Sequence, residues 1–302
     1  MMIVSAADER FVAHFAAMLH SAWTHHPTAQ FYLMDCGIKS GTLADLKEFA
    51  TNQEICLNIL SVDPATLDDL PTTKALSVAT YARLLIPDLF PHSVERVLYI
   101  DADCIVVDDL TPLWQFDIGS AAIAAVSDIP ELRTEPGRDL DHDSNINAGV
   151  ILMNLVIWRH ERLASRALDF ARKYLPSLCD QPSINFACAG KIAYLPERWN
   201  FLLNKPDRLE GWSEPSIVHC AGPKKPWVYS DVPFAPIYLY HRNQTPFAIE
   251  PPRTPFRSPL RNLLNLLMGR RKYWNRLLVM RRSRAFTTAY FSRIARAAVV
   301  AQ

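Results

Sequence analysis

The sequence predicts an α/β protein built on a doubly wound, mostly parallel sheet. Short apolar runs alternate with segments of helical spacing through the first half of the chain, and this alternation is typical of such a sheet. With 302 residues and 49% hydrophobic side chains, the chain is long enough to bury a large core. Polar residues follow several of the apolar runs, at the strand ends where open α/β sheets assemble their ligand sites.

The first hundred residues alternate strands and helices in a regular order. Apolar runs predict strands at 2–6, 30–34, 55–61 and 96–100, and helical spacing predicts helices at 10–25, 42–50 and 78–90. In the last of these helices Leu84, Leu85 and Leu89 fall on one side. The last strand is an apolar run with a basic start, as expected of a strand buried within a sheet.

The alternation continues beyond residue 120 with less regular spacing. We predict strands at 122–126, 148–155 and 216–219, and helices at 158–174 and 183–189. The polar segment 130–145 holds both glycine and proline, which predicts a loop. These elements make up a body that ends near residue 245.

Charge divides the chain into an acidic body and a basic tail. The formal net charge is +1, but twelve Arg and Lys and no acid lie beyond Glu250, so the first 250 residues have a net charge of −11. Repeated prolines predict an extended linker at 246–259. Two apolar stripes among arginines predict a basic amphipathic helical tail at 260–302: Leu260, Leu263, Leu264 and Leu267, then Phe286, Tyr290 and Ile294.

We interpret the tail as a segment that binds an anionic membrane surface. An apolar face with Tyr273 and Trp274 among cationic residues is typical of interfacial helices on anionic lipid. Nucleic-acid binding is the alternative for a basic helix, and we do not favour it because the apolar stripe and the charges occur together.

Cysteine spacing and hydropathy indicate a cytoplasmic protein without a membrane span. None of the six cysteines forms a Cys-x-x-Cys pair, which argues against a zinc knuckle, and we interpret them as reduced core residues. No signal peptide precedes the first strand, and no run reaches eighteen apolar residues. With the basic tail, this predicts a peripheral protein on the inner face of the cell membrane.

Asp101-Ala102-Asp103, directly after the strand at 96–100, is the most informative feature of the chain. Two carboxylates at the end of a buried strand repel each other unless a cation neutralises them. Oxygen ligands suit Mg²⁺ or Mn²⁺, which usually keep a substrate phosphate in their shell. The triplet therefore indicates a metal that holds a diphosphate. The alternative interpretation of the triplet is a polar turn or a helix cap, because Asp is common in both.

Four further polar clusters accompany the Asp pair, at 5–8, 79–84, 145–150 and 219–227. Neither G-x-G-x-x-G nor a P-loop occurs before Asp101, so a dinucleotide fold with the usual phosphate loop is disfavoured. Any phosphate must then be held by a metal and by side chains.

In this order the clusters resemble the retaining glycosyltransferases of family 8, over residues 2–230. The resemblance rests on D-x-D at 101–103, N-A-G at 147–149 and H-x-x-G-x-x-K-P-W at 219–227. It implies a GT-A fold, a Rossmann-like nucleotide-diphospho-sugar transferase fold, at 1–245. The resemblance is to the bacterial lipopolysaccharide and lipooligosaccharide galactosyl- and glucosyltransferases. It implies Mn²⁺-dependent transfer of a hexose from a UDP-sugar to a glycolipid or saccharide acceptor, with Mg²⁺ as a substitute metal.

The resemblance also implies a role for each matching residue. Asp101, Asp103 and His219 would ligate Mn²⁺. Ala6 and Asp8 would contact the uracil, Ala102 the ribose, Asn147 and Ala148 the donor sugar, and Gly222 and Lys225 the diphosphate. Arg83 would contact the donor sugar and the Asp pair, and Asp180 and Gln181 would lie beside the anomeric carbon. Catalysis would depend on Arg83, Asp180, Gln181 and Lys225. We assign no nucleophile, because Pro182 stands where a carboxylate could follow Gln181.

Two other functions stay open at this stage. A nucleotide-sugar pyrophosphorylase would need a glycine-rich N-terminal loop, which the chain lacks. An inactive nucleotide-sugar-binding protein on the same fold would be expected to have lost metal ligands, but all three are present. The sequence leaves the choice between galactose and glucose open, because these sugars differ at one hydroxyl.

Overall fold

A seven-stranded sheet forms the centre of the protein. The computed structural model describes residues 1–70, 78–128, 145–176, 179–203, 214–255, 267–268 and 271–300. The strands of this sheet are β1 (Met2–Ala7), β2 (Gln30–Asp35), β3 (Leu57–Ser61), β4 (Arg96–Ile100), β6 (Ile123–Ser127), β7 (Ile146–Asn154) and β8 (Ile192–Leu195). Their order is β3-β2-β1-β4-β7-β6-β8, and β7 runs antiparallel to β4 and β6 while the other neighbours are parallel. The predicted, mostly parallel sheet is confirmed.

A second sheet of three strands continues directly from the first. It contains β5 (Cys104–Val106), β9 (Phe201–Leu202) and β10 (Ile217–His219) in the order β5-β10-β9. Only three residues separate β4 from β5, so the chain passes from the large sheet to the small one within the D-x-D triplet. The antiparallel register of β10 and β5 pairs His219 with Cys104. This register brings His219 next to Asp103.

Helices follow most of the strands along the chain, and the helices predicted at 78–90, 158–174 and 183–189 differ from the observed ones. They are α1 (Val12–His25), α2 (Ser40–Asn52), α3 (Ile86–Leu89), α4 (Thr111–Trp114), α5 (Leu155–His160), α6 (Leu163–Tyr174), α7 (Asp180–Ala187), α8 (Ala235–Asn243) and the C-terminal helix (Arg271–Val300). The predicted helix at 78–90 is a 3-10 helix over Val78–Leu85 followed by α3. The single helix predicted at 158–174 is wrong, because Arg162 adopts a left-handed backbone and separates α5 from α6.

Several predicted elements lie wholly or partly outside the residues that the structure describes. The loop at 130–144 and Leu260, Leu263 and Leu264 lie outside the described residues. In the described part of the predicted linker, residues 246–255, the backbone forms neither helix nor strand.

Side chains of the large sheet alternate between two cores, one on each face. In β4, Leu98 faces the core that contains Phe15 of α1, whereas Tyr99 faces the core that contains Trp158 of α5. Tyr81 and Trp158 are at most 1% exposed. Helices cover both faces, which explains why the strands read as continuous apolar runs rather than as alternating ones.

A third core lies between the small sheet, α8 and the C-terminal helix. Ile105 and Val218 from the small sheet pack there with Phe286 and Tyr290 from the C-terminal helix. Tyr290 Oη lies 2.6 Å from Nε2 of His241 on α8, within hydrogen-bond distance. The second of the two predicted apolar stripes is therefore buried against the body.

Exposed apolar side chains lie at positions 267–268 and at the beginning of the C-terminal helix. Five large apolar side chains there are 46–76% exposed: Leu267, Met268, Trp274, Leu277 and Leu278. Within the described ranges, no helix combines the length and the hydropathy needed to cross a bilayer.

The six cysteines are free thiols. Four are buried, Cys104, Cys179, Cys188 and Cys220, and Cys36 is partly buried. The prediction that all of them are core residues is wrong for Cys56, which is exposed just before β3.

Candidate active site

The three predicted metal ligands converge where the large and the small sheets meet. Asp101 and Asp103 lie in the link between β4 and β5, and His219 is the last residue of β10. Nε2 of His219 lies 3.3 Å from Oδ1 of Asp103 and 3.9 Å from Oδ2 of Asp101. Two carboxylates and an imidazole nitrogen are a donor set that suits Mn²⁺. The residues therefore fit a divalent cation.

Lys225 adds a positive charge beside the same carboxylates. Its Nζ donates to Oδ2 of Asp103 at 2.6 Å and to the carbonyl oxygen of Cys220 at 2.7 Å. Burial alone would raise the pKa of Asp103, but His219 and Lys225 outweigh burial and hold that pKa below its usual range. Cys104 also lies within reach of Asp103 and His219, but burial raises the pKa of its thiol far above the usual range. Thiolate is a softer ligand than the carboxylates that suit Mg²⁺ and Mn²⁺, so Cys104 fits such an ion less well than Asp101, Asp103 and His219 do.

Arg83, from the 3-10 helix, is buried behind the Asp pair and connects three parts of the site. Its Nη2 lies 2.9 Å from Oδ1 of Asp101, its Nε lies 2.8 Å from Oδ2 of Asp180, and its Nη1 donates to the carbonyl oxygen of Ala148. The guanidinium carbon lies 4.3 Å from the centre of the Tyr99 ring. Burial raises the pKa of Asp180 to about 6 although Arg83 opposes that shift.

A row of amide side chains connects His219 with the N-terminus of α7. Nδ1 of His219 lies 2.9 Å from Oδ1 of Asn200, and Nδ2 of Asn200 donates to Oδ1 of Asn147 at 2.8 Å. Nδ2 of Asn147 donates to Oε1 of Gln181 at 3.2 Å, and Nε2 of Gln181 donates to Oδ2 of Asp128 at 3.4 Å. The structure thus brings the predicted residues Asn147 and Gln181 into contact.

Two members of this row, Asn200 and Asp128, are absent from the sequence prediction. Asn200 is a single amide within the apolar stretch 199–203, and such an isolated polar residue signals a buried hydrogen-bonding role. Asp128 directly follows β6, much as Asp101 follows β4. This shared position at a strand end could have identified Asp128.

Three predicted residues lie where β1 and β4 end. The parallel pairing of these strands places Ala6 level with the start of the D-x-D triplet. Ala6 is 8% exposed and Ala102 is 5% exposed, so both present small, nearly buried surfaces. Oδ1 of Asp8 accepts hydrogen bonds from the backbone N–H groups of Arg10 and Phe11, which stabilises the turn before α1.

The loop after β10 holds the remaining predicted residues. Gly222 has a φ of +77°, a left-handed backbone conformation that glycine adopts without strain. Lys225 follows three residues later, and Trp227 stacks on the His14 ring of α1 with ring centres 3.7 Å apart. The packed indole holds the loop against the body and keeps Lys225 beside the Asp pair.

Comparison with known proteins relates the chain to one enzyme family. The model of glycosyl transferase family 8 matches residues 2–231. General stress protein A of Bacillus subtilis is 28% identical over 249 residues, which cover 75% of this chain and 87% of that protein. The lipopolysaccharide 1,3-galactosyltransferase of Salmonella typhimurium is 27% identical over 221 residues, which cover 67% of this chain and 64% of that protein.

Solved structures agree on the fold. The galactosyltransferase LgtC, crystallised with donor and acceptor sugar analogs, superposes with a TM-score of 0.74 at 24% identity, covering 83% of this chain and 98% of that one. The glycosyltransferase GlyE of Streptococcus pneumoniae superposes with a TM-score of 0.61 at 22% identity, covering 80% of this chain and 59% of that one. Because the family model spans most of the chain, from residue 2 to residue 231, the protein belongs to glycosyl transferase family 8 and is a hexosyltransferase with the GT-A fold.

Proposed function

We propose that the protein is a Mn²⁺-dependent retaining glycosyltransferase that takes galactose or glucose from a UDP-sugar. The observation that supports this most strongly is the convergence of Asp101, Asp103 and His219 at one sheet edge, with Lys225 beside them. These three residues would hold a divalent cation, which would supply positive charge to the diphosphate of the leaving UDP. Lys225 adds a second positive charge on the same side.

The remaining residues would hold the donor on either side of this centre. Ala6 and Asp8 would contact the uracil at the end of β1, and Ala102 is small enough for the ribose to lie close to the backbone. Gly222 would let the backbone of its loop approach the diphosphate that Lys225 binds. Asn147 and Ala148 would line the donor sugar. Each of these residues lies within the strand ends and the loop described above.

Asp180 and Gln181 would act on the sugar itself. Both lie at the N-terminus of α7, and Arg83 holds the buried carboxylate of Asp180 in an ion pair. We infer that Asp180 and Gln181 accept and donate hydrogen bonds to donor hydroxyls, and that Arg83 keeps Asp180 ionised. Pro182 occupies the next position, so no carboxylate nucleophile is assigned there.

For the acceptor we propose a glycolipid or lipopolysaccharide-type saccharide. Relatives of this chain include proteins named lipopolysaccharide 1,3-galactosyltransferase and lipopolysaccharide 1,2-glucosyltransferase, the latter 23% identical over 248 residues. The segment between Gln181 and His219 would form part of the acceptor side, and ten of its residues, 204–213, lie outside the described chain.

Titration with UDP, with and without Mn²⁺, tests the proposal. We expect Mn²⁺ to tighten UDP binding, and we expect slow, metal-dependent hydrolysis of UDP-glucose or UDP-galactose that releases UDP. His219→Ala should lose both responses, whereas His160→Ala, at the exposed end of α5, should keep them. If the affinity for UDP is the same with and without Mn²⁺, the proposed enzyme function is contradicted. Formation of UTP from a UDP-sugar and pyrophosphate would indicate a pyrophosphorylase instead.

We also propose that the protein binds the inner face of the cell membrane through the start of its C-terminal helix. Trp274, Leu277 and Leu278 are 46–54% exposed, and Arg281, Arg282 and Arg284 follow on exposed positions. Exposed apolar side chains with adjacent arginines match the chemistry of an anionic lipid surface. This surface would bring the enzyme close to a lipid-linked acceptor.

Replacing Trp274, Leu277 and Leu278 with Ser should reduce binding to vesicles that contain phosphatidylglycerol roughly 100-fold, because each side chain contributes about 1 kcal/mol. Co-sedimentation measures the effect. Val156→Ser with Leu175→Ser, at two other exposed apolar positions, should bind like the wild type. Equal binding of the triple variant would contradict the membrane proposal. Truncation at residue 250 is a poorer test, because it also removes Phe286 and Tyr290 from a core.

A further inference from the structure

The proton on His219 determines whether its ring can serve the proposed metal site. A neutral imidazole carries one proton, so Nε2 offers a lone pair only when Nδ1 is protonated. Nε2 is the nitrogen that faces Asp103, at 3.3 Å, and Nδ1 faces the side chain of Asn200, at 2.9 Å. An amide side chain has one accepting and one donating end. The orientation of the Asn200 amide therefore selects the tautomer of His219.

A backbone group determines the orientation of that amide. The N–H of Gly149 donates to Oδ1 of Asn147 at 3.0 Å, and a backbone N–H can only donate. The same oxygen accepts a hydrogen bond from Asn200 at 2.8 Å. Asn200 must therefore turn its nitrogen towards Asn147 and its oxygen towards His219. This arrangement requires the proton of His219 on Nδ1.

The other end of the row requires the same orientation. The backbone N–H of Ala148 donates to Oε1 of Gln181 at 3.3 Å, so this oxygen faces β7 and also accepts from Nδ2 of Asn147. Nε2 of Gln181 then faces the carboxylate of Asp128, which can only accept. The two backbone donors and the carboxylate therefore require the same donor-to-acceptor direction for every hydrogen bond in this row.

The packing around the ring leaves little freedom for another arrangement. Asn200 is 1% exposed and His219 is 5% exposed. A Cβ on Gly149 would overlap Cε1 and Nδ1 of the His219 ring, so the position of the ring depends on glycine at 149. Asn200 directly precedes β9, and the parallel pairing of β9 with β10 keeps it close to His219.

We propose that Asn200 is a positioning residue that holds His219 in the tautomer with the proton on Nδ1, under the direction of the Gly149 N–H acting through Asn147. The proposal rests on the proposed metal site and extends it to a residue that would not touch the metal. The row of hydrogen bonds connects one proposed metal ligand, His219, with the proposed sugar-binding residues Asn147 and Gln181. These two parts of the donor site would therefore be oriented together.

Nitrogen NMR of the His219 ring tests the tautomer in metal-free protein at mildly alkaline pH. We expect Nδ1 to carry a proton in the wild type, whether or not Asp103, 3.3 Å from Nε2, also holds a proton there, and we expect part of the Asn200→Ala molecules to lose the Nδ1 proton. His219→Gln identifies the signal by its loss. Mn²⁺ affinity, measured without donor by electron paramagnetic resonance, should fall about 10- to 100-fold in Asn200→Ala, the usual effect of losing a group that orients a metal ligand.

Two variants separate positioning from a merely structural effect. Asn200→Asp retains an acceptor for Nδ1–H but loses the donor to Oδ1 of Asn147, so it should keep the proton on Nδ1. Asn185→Ala removes a similarly buried amide, 2% exposed and bonded to Ile146, and should reduce stability without changing Mn²⁺ affinity. A wild-type Nδ1 without a proton, or an Asn200→Ala variant with unchanged Nδ1 protonation and Mn²⁺ affinity, would overturn the inference. A wild type that binds no Mn²⁺ would instead refute the proposed metal dependence, and the tautomer measurement would still decide the role of Asn200.

Discussion

Asp103→Asn should lower Mn²⁺ affinity and metal-dependent turnover by more than about 100-fold, beyond the range observed for losing a group that only orients a ligand. The substitution preserves the shape of the side chain but removes the charge that lies 3.3 Å from His219 and 2.6 Å from Lys225. Lys225 donates to Asp103 at 2.6 Å, and the pKa of this carboxyl lies below its usual range despite burial, so the wild-type side chain is ionised at neutral pH. Turnover of the UDP-sugar across a Mn²⁺ series measures both quantities.

The matched control is Asp45→Asn, which makes the same chemical change at an exposed position of α2. This variant should keep the Mn²⁺ affinity and turnover of the wild type. If Asp103→Asn retained metal-dependent turnover within a few-fold of the control, the D-x-D triplet would not be the metal site. The alternative of a polar turn after β4 would then be favoured.

Arg83→Met should reduce the free energy of unfolding by about 3–5 kcal/mol, the usual cost of removing one partner of a buried ion pair. Arg83 is 4% exposed and lies between Asp101 and Asp180, at 2.9 and 2.8 Å. Its loss leaves two carboxylates without their common cation. Urea unfolding monitored by circular dichroism measures the change, and the melting temperature should fall by roughly 10 °C.

A second substitution distinguishes charge from lost packing. Asp180→Asn in the Arg83→Met background removes one of the two uncompensated charges, so part of the lost stability should return. Arg172→Met provides the control, because Arg172 forms an exposed ion pair with Asp69, and such pairs contribute at most about 1 kcal/mol. Equal destabilisation by Arg83→Met and Arg172→Met would show that the buried ion pairs do not govern stability here.

The central strands could be predicted because each lies between two apolar layers. β1, β2 and β4 are continuous apolar runs, and their bounds differ from the prediction by at most one residue. β5 and β9 contain only three and two residues, and each exists through its pairing with β10. Sequence periodicity cannot reveal such strands, because their hydrogen-bond partners lie far away along the chain. The break between α5 and α6 depends on a single backbone conformation, at Arg162, which no periodicity indicates.

The site residues that belong to recognisable sequence motifs could be predicted. Asp101, Asp103 and His219 occupy recognisable patterns, and the fold brings them together. Asn200 belongs to no pattern, because its role depends on which nitrogen of His219 needs an acceptor and on the direction of a backbone N–H in another strand. The ion pair between Arg83 and Asp180 similarly joins residues that are far apart in the sequence.

The third core helps to fix the position of His219. Val218 packs in that core with Phe286 and Tyr290, and the next residue along β10 is His219. The C-terminal helix therefore packs against the strand that ends at His219. A segment beyond the matched family region thus stiffens one wall of the site. Substitutions at Phe286 or Tyr290 that disrupt this packing are therefore expected to make the position of His219 less well defined.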